Sequence, residues 1–209
     1  SKTIDVIMSS LFEKNNREMK HSERVGELSA DIASKMNLSE DDVRQIRIAG
    51  LMHDIGKIGI DENILNKPMK LNAGEWKEIE RHSEIGYRIL SSVNEFSEIA
   101  DFILEHHEKW NGKGYPKGLV HDAISLQARI IAVADAFDAM TGSRTYGKTL
   151  SNTEAVQEII RCSGTQFDPS VTHVLVEKIL GMTWKPKTGN TTVPFPGQSD
   201  TGMANHRTQ

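Results

Sequence analysis

Cysteine is almost absent from this 209-residue sequence, which contains Cys162 alone. One thiol excludes an internal disulfide framework and is typical of a reducing compartment. A large excess of either charge is absent too, because 25 lysines and arginines stand against 29 aspartates and glutamates. That balance gives no support to binding of a nucleic-acid polymer or to membrane contact through a basic face. Without a bilayer-length apolar run or a signal peptide, we expect a cytoplasmic protein.

Strand-like alternation and internal repeats are also missing, and apolar residues instead recur at helical spacing. The length is sufficient for one domain with its own core. We predict an all-α fold, with the main domain over residues 16–181. Residues 1–15 are predicted to form a helix leading from a preceding domain, and residues 182–209 a tail with little apolar spacing.

Capping signals and apolar stripes outline the individual helices. The stripes predict single helices over 76–89, 92–107 and 124–140. The last of these is the most hydrophobic and is therefore predicted to lie at the centre of the fold. The capping signals are Ser39 with Asp42, Asn72 with Glu75, Ser151 with Glu154, and Asp168 with Pro169.

The stretch from Leu51 to Lys57 joins an apolar helix end to a histidine and an aspartate. His53 offers an imidazole nitrogen, and Asp54 has two oxygens with which it can reach two cations at once. Gly56 ends the helix, and the lysine adds a positive charge beside both ligands. A His-Asp pair alone is also common at surfaces and helix ends, so a metal site needs support from other parts of the chain.

Further ligand residues lie at the ends or on the inner faces of separate predicted helices. A lone histidine on an apolar face is more often a hydrogen-bonded part of the core, but chance does not readily place a whole set there. Asp135 lies inside the apolar helix over 124–140, where an ionised carboxylate is costly to bury unless it is paired or bound to metal. The candidate ligands are His21, His53, Asp54, His82, His106, His107 and Asp135, whereas His121, His173 and His206 do not fit the pattern.

This ligand set contains imidazoles and carboxylates but no thiolate, which disfavours a structural zinc site. Two octahedral first-row cations that share a carboxylate and a water or hydroxide would use such a set. The neighbours His106 and His107 would point about 100° apart on a helix. They would therefore serve different cations, or one cation and one substrate oxygen.

The order of these residues resembles the HD-GYP family of metal-dependent phosphodiesterases, a branch of the HD phosphohydrolase superfamily. The resemblance implies a helix bundle around a two- or three-metal centre that hydrolyses cyclic di-GMP to linear pGpG or to GMP. It also implies that all the candidate ligands bind metal, with Asp54 as a bridging, catalytic carboxylate. It extends from Asn16 to Leu180 and rests on His53-Asp54 with Gly56-Lys57, His106-His107-Glu108 before Gly114-Tyr115-Pro116, and the run from Asp135 to Met140 followed by Arg144.

The resemblance gives roles to further motif residues. Lys57, which we count among the catalytic residues, and Arg144 are predicted to bind phosphate, with surface salt bridges as the alternative. Asp138 is predicted to support, without binding metal itself, either a metal ligand or the loop. Tyr115 is expected to contact the substrate as part of a lid, or to form with its neighbouring glycines a surface for a protein partner. Alternatively, Tyr115 and Trp110 pin this loop to the core.

One position departs from the family pattern. Members with a third metal carry a glutamate four residues before the first histidine ligand, where this chain has Arg17, with Glu18 one place away. We therefore expect two divalent transition-metal ions, with iron or manganese favoured, and pGpG rather than GMP as the product. Two alternatives stay open: a signalling module that keeps the metals but binds a partner protein, and a phosphohydrolase of another nucleotide. A homodimer is also compatible with the sequence.

Overall fold

The computed structural model describes residues 16–142 and 149–184. Within these ranges the chain is helical, and its β-type pairings are the isolated bridges Asn111–Val120 and Ser163–Phe167. The predicted all-α fold is therefore confirmed. The predicted helix within residues 1–15 and the predicted phosphate ligand Arg144 lie outside the described residues.

The helices follow one another along the chain, and a loop over residues 106–120 comes after α6. The α-helices are α1 (Asn16–Lys35), α2 (Glu40–Met52), α3 (Glu62–Leu65), α4 (Ala73–Glu80), α5 (His82–Ser91), α6 (Ser97–Glu105), α7 (Leu126–Thr141), α8 (Asn152–Cys162) and α9 (Pro169–His173). The shorter elements are the 3-10 segments Ile55–Gly59, Asn94–Phe96 and His121–Ala123 and the π-helical segment Val174–Ile179.

The predicted capping residues begin their helices. Ser39 Oγ, for example, accepts a hydrogen bond from the backbone N–H of Asp42 at the start of α2. A cap of this kind is worth about 1 kcal/mol because it satisfies an N–H that the helix leaves unpaired. The caps are Ser39, Asn72, Ser151 and Asp168, of which Asn72 and Ser151 form complete capping boxes.

Helix α7 lies at the centre of the fold, as its hydrophobicity predicts. Its residues Ile130, Ile131, Val133 and Ala134 are fully buried. It packs against α1, α2, α6 and α8, so it is covered on several sides. Any polar side chain on α7 is therefore held firmly by the surrounding helices.

The prediction of one continuous helix over 76–89 is wrong. Helix α4 ends and α5 begins at His82, with a break at Arg81. At this break the ring of His82 donates a hydrogen bond from Nδ1 to the carbonyl oxygen of Ile79 at 2.7 Å. Both segments have the same apolar periodicity, so spacing alone does not reveal the break. The break places His82 at a helix start.

The prediction of a single helix over 92–107 is also wrong at both ends. Val93 has an extended backbone, and the chain then forms a 3-10 turn before α6. Helix α6 ends at Glu105, so His106 and His107 lie in the turn that follows. The 100° separation expected for helical neighbours therefore does not apply to these two rings.

The end of the described chain returns to the core. The N–H of Met182 donates to the Val176 carbonyl, and Met182 and Trp184 pack against the buried cluster. The domain limits at 16–181 and the tail over 182–209 stay predictions. Among the described helices, none has the length and apolar character needed to cross a bilayer.

Candidate metal centre

Helix ends and helix faces meet at one cavity of about 480 Å³. His53 caps the end of α2, His82 begins α5, and His106 follows α6, so each lies where a helix stops or starts. His21 and Asp135 instead project from within α1 and α7. Residues that are far apart in the chain therefore surround one space because α1, α2 and α7 pack against one another.

The first group of ligand residues consists of His21, His53 and Asp54. One nitrogen or oxygen atom of each lies within 4.8 Å of the others. Asp135 adjoins this group, with Oδ1 3.2 Å from His21 Nε2 and 3.7 Å from His53 Nε2. The group thus offers two imidazoles and two carboxylates to one ion, a donor set that suits first-row transition metals.

The second group consists of His82, His106 and His107, whose ligand atoms also lie within 4.8 Å of one another. The adjacent rings of His106 and His107 have centroids 4.0 Å apart. Both therefore face the same point together with His82. This geometry disfavours separate ions for the two neighbours, and the other expected role, one cation and one substrate oxygen, stays a prediction.

Asp54 lies between the two groups. Its Oδ2 is 3.2 Å from His53 Nε2 in the first group, and its Oδ1 is 3.6 Å from His82 Nε2 in the second. One carboxylate thus presents a separate oxygen to each group, which is the geometry that a bridging ligand requires.

The ring orientations test whether these residues suit a metal. His82 and His106 each donate from Nδ1 to a backbone carbonyl, at 2.7 Å and 2.6 Å, so in a neutral ring the proton is on Nδ1 and Nε2 carries a lone pair. These two Nε2 atoms face each other at 3.5 Å. Two lone pairs in that arrangement repel unless a cation lies between them. The second group therefore fits a bound metal ion.

Burial keeps the second group neutral. Desolvation, together with the nearby rings of His82 and His53, lowers the pKa of His106 to about 3. Desolvation also lowers the pKa of His82 and that of His107. All three rings are consequently unprotonated at neutral pH, the form that binds metals.

In the first group, neighbouring opposite charges and hydrogen bonds outweigh burial in setting the pKa values. Burial would lower the pKa of His21, but hydrogen bonds to Asp135 and Asp138 raise it to about 10. Burial would raise the pKa of Asp54, but the charges of Lys57 and His53 hold it well below its usual value. Carboxylates and imidazoles here stabilise each other's charge, so His21 is protonated at neutral pH when no cation is bound.

Lys57 lies against the bridging carboxylate. Its Nζ donates to Asp54 Oδ2 at 2.7 Å and lies 3.6 Å from Glu18 Oε2. Burial would lower the pKa of Lys57, but these two carboxylates raise it. The lysine therefore stays charged at the cavity wall, and its role in phosphate binding stays a prediction.

Asp138 lies behind the first group. Its Oδ2 lies 2.7 Å from His21 Nδ1, and its Oδ1 accepts a hydrogen bond from Arg24 Nε at 2.6 Å. Sequence reasoning identified Asp138 but missed Arg24, because nothing in the spacing of charged residues links α1 to α7.

The loop after α6 folds back over the second group. The Tyr115 ring stacks on His107, with centroids 5.0 Å apart and planes 28° from parallel. A Cβ atom on Gly114 would lie 2.3 Å from the backbone nitrogen of Lys109, so this approach requires glycine. Tyr115 is thus turned towards the cavity, whereas Trp110 packs against the His121 ring and does not line the cavity.

Glu108, which sequence reasoning quoted only as part of a motif, fixes this loop. Its buried carboxylate accepts hydrogen bonds from the backbone N–H groups of Lys117, Gly118 and Leu119 at 2.6, 3.1 and 3.0 Å. Charge-assisted bonds of this kind are stronger than neutral ones. The loop is therefore tied to the residue that directly follows the histidine pair.

Comparison with known proteins gives the family. Residues 5–171 match the family model described as HD domain. The chain belongs to the HD domain family, and the resemblance stated from its motifs is confirmed.

Named relatives come from the same family. The chain is 43% identical over 176 residues to a cyclic di-GMP phosphodiesterase of Thermotoga maritima, a match covering 82% of this chain and 47% of that protein. It is 34% identical over 180 residues to 3′3′-cGAMP-specific phosphodiesterase 2 of Vibrio cholerae, covering 85% and 34%. The chain thus spans less than half the length of these relatives.

A solved structure shares the fold. The crystal structure of a cyclic GMP-AMP-specific phosphodiesterase of V. cholerae matches with a TM-score of 0.66 and 21% identity, covering 86% of this chain and 48% of that one. At this level of identity the match establishes the arrangement of helices alone.

Proposed function

We propose that the chain is the catalytic part of a metal-dependent phosphodiesterase that hydrolyses cyclic di-GMP to linear pGpG. The observation that carries the proposal is the meeting of two ligand groups at the two oxygens of Asp54. Relatives with 43% and 34% identity bear the names of phosphodiesterases for cyclic di-GMP and for 3′3′-cGAMP. Both substrates are rings closed by two phosphodiester bonds, which supports this reaction class.

Each ligand group would hold one divalent cation, and Asp54 would contribute an oxygen to both. Asp135 would complete the first group beside His21 and His53. Bound divalent cations supply Lewis acidity, which lowers the pKa of water and neutralises a phosphodiester. Imidazole and carboxylate donors suit iron or manganese.

Lys57 acts as a positioning residue and as a source of positive charge. Its hydrogen bond to Asp54 Oδ2 fixes the plane of the shared carboxylate. Because nearby carboxylates raise its pKa, it retains its proton at neutral pH and can attract the substrate phosphate without donating that proton. Tyr115, stacked on His107, contributes a flat aromatic ring to the cavity wall.

The proposal of two cations rests on the cavity wall next to α1. Arg17 lines the cavity with a positive charge, and Glu18 Oε2 lies 3.6 Å from Lys57 Nζ, an ion-pair distance. A third cation would have to compete with these two cationic side chains. With two cations we expect the reaction to stop at pGpG.

The test is turnover by protein purified without oxygen and analysed for metal. We expect about two equivalents of transition metal per chain. We also expect conversion of cyclic di-GMP to pGpG, which chromatography of the reaction products measures. Asp54→Ala should abolish turnover. Accumulation of GMP, or hydrolysis of a different nucleotide only, would contradict the proposal, and tight binding without turnover would favour the signalling module.

A further inference from the structure

Helix α4 presents two unused side chains to the cavity. Trp76 and Glu80 lie four residues apart, so both face the same side of α4, and both line the cavity with Ile79 between them. The helix is held at its start by the Asn72 capping box and by Lys67, whose Nζ lies 2.7 Å from both Glu75 carboxylate oxygens. The pair therefore stands on a fixed element in the wall of the cavity that the ligand groups also line.

The Glu80 carboxylate has no hydrogen-bond or ion-pair partner within residues 16–142 and 149–184. Its negative charge acts to raise the pKa of Lys109 and that of Tyr115, both of which also line the cavity. Phosphate groups repel a carboxylate, so this group does not favour the charged part of a cyclic dinucleotide. Hydrogen-bond donors on the ligand would suit it, and a cyclic dinucleotide carries such donors on its bases and ribose hydroxyls.

We propose that Trp76 and Glu80 form a guanine-recognition subsite, an inference that rests on the proposed function. The indole of Trp76 stacks on the base, and the two oxygens of Glu80 accept hydrogen bonds from guanine N1–H and from its 2-amino group. These two donors lie side by side on one edge of guanine, which matches the spacing of a carboxylate. Stacking and readout of the pairing edge together are the usual way in which proteins recognise an exposed base.

Adenine does not satisfy this arrangement. Its corresponding edge has an acceptor, N1, beside its single amino group, so one carboxylate oxygen would face a lone pair. A ligand that covers a carboxylate oxygen without donating a hydrogen bond to it binds more weakly. The subsite therefore discriminates between bases without contacting the phosphates. The subsite would therefore select the base, whereas the cations held by the metal ligands would contact only the phosphodiester.

A competing explanation is that Glu80 serves only as a counter-charge for Lys109. That role requires a negative charge near the lysine but no particular base. The two explanations differ in one measurable property, the ratio of affinities for guanine and for bases that lack its 2-amino group.

The test measures binding by calorimetry of hydrolysis-resistant phosphorothioate analogues of cyclic di-GMP, cyclic di-IMP and cyclic di-AMP to the metal-loaded protein. Cyclic di-IMP lacks only the 2-amino groups. We expect the wild-type chain to prefer the guanine analogue over the inosine analogue by about tenfold, a ratio typical of one charge-assisted hydrogen bond. Glu80→Gln should reduce that ratio below about threefold, because its amide cannot accept from both donors.

Matched controls separate this contact from general effects on the helix. Glu78→Gln removes a carboxylate from the same helix, one that pairs with Arg81 at the surface, and should leave the ratio unchanged. Trp76→Leu should weaken all three analogues by about tenfold through lost stacking, whereas Trp76→Phe should retain most of the affinity.

Turnover of cyclic di-GMP by the wild-type chain is measured alongside. If the wild-type chain turns over cyclic di-GMP but Glu80→Gln leaves the guanine-to-inosine affinity ratio unchanged, the subsite is overturned and the proposed function stays intact. If the affinity ratio is large in the wild-type chain and lost in Glu80→Gln, the subsite is supported even without turnover. The absence of turnover would then overturn the proposed function alone. Failure of the guanine analogue to bind the wild-type chain overturns the subsite.

Discussion

His21 Nδ1 lies 2.7 Å from Asp138 Oδ2, although 117 positions separate the two residues in the chain. The contact joins α1 to α7 and orients the imidazole so that Nε2 points towards the first ligand group. Arg24 holds the same carboxylate through both oxygens, with Nε donating to Oδ1 and Nη2 donating to Oδ2. A ligand on one helix is thus aligned by an acid on another.

Asp138→Asn should weaken metal binding without unfolding the protein. The amide retains the shape of the carboxylate but not the charge that orients His21, and loss of such support typically reduces metal affinity by about 10- to 100-fold. Competition with a chelating dye measures the affinity, and thermal melting checks the fold. Glu27→Gln, which affects an exposed pair with Arg47 on α1, is the control. Equal affinity in Asp138→Asn and wild type would show that the carboxylate has no supporting role.

Gly56→Ala should destabilise the protein by about 3 kcal/mol, the upper range for overpacking. A Cβ atom at this position would lie 1.8 Å from the carbonyl oxygen of His82, and this neighbour is backbone, which cannot rotate away. Denaturant unfolding measures the change. Gly74→Ala is the control, because its nearest contact is 3.3 Å from a side chain and helix α4 tolerates alanine, so its effect should stay below about 1 kcal/mol. Similar midpoints for the two variants would be inconsistent with this packing.

Metal uptake by the first group should release protons, and uptake by the second should not. His21, with a pKa raised to about 10, is protonated at pH 7 and must lose its proton to bind an ion. His106, with a pKa of about 3, is already neutral. Affinity at the first group should therefore increase as pH rises towards 10, while affinity at the second, where burial lowers the pKa of all three histidines, should change little above neutral pH.

Calorimetric titration with manganese in two buffers of different ionisation enthalpy measures this release. Equal heats in both buffers would contradict it. His173→Gln, which removes a half-exposed histidine paired with Glu177 outside the cavity, should leave the proton count unchanged.

Glu108→Gln should loosen the loop that carries Tyr115. The neutral amide accepts fewer and weaker hydrogen bonds than the carboxylate that now binds the N–H groups of residues 117–119. Hydrogen exchange of those amides should accelerate by about tenfold, corresponding to about 1.4 kcal/mol. Exchange in α8, which is remote from the loop in sequence, provides the internal reference. Unchanged protection at 117–119 would mean that other contacts hold the loop.

The sequence predicts the helices and their starts because capping and apolar spacing are local. The caps at Ser39 and Asn72 needed no knowledge of the fold. The break at Arg81 was missed because both sides share one apolar period, and the hydrogen bonds that mark it, from the Arg81 N–H to the Glu78 carbonyl and from the His82 ring to the Ile79 carbonyl, form only in the folded chain. Local signals therefore locate helices better than they locate breaks.

The candidate ligands were selected by residue type and position, but their grouping depends on packing between helices. The sharing of Asp54 between two groups follows from where α2 and α5 meet, which spacing does not specify. Glu80 was missed because a single glutamate on an amphipathic helix normally faces solvent. Its distance of four residues from Trp76 was the available signal.

The same ring-to-backbone hydrogen bond recurs at three helix ends, where His53, His82 and His106 each donate from Nδ1 to the carbonyl three residues earlier. The backbone carbonyl thus determines that Nε2, and not Nδ1, is the ring nitrogen available to bind an ion. Rotational freedom of these rings is lost during folding and not during ion capture. These three rings then need no rotation when an ion arrives, so their contribution to the cost of ordering the site is met before binding.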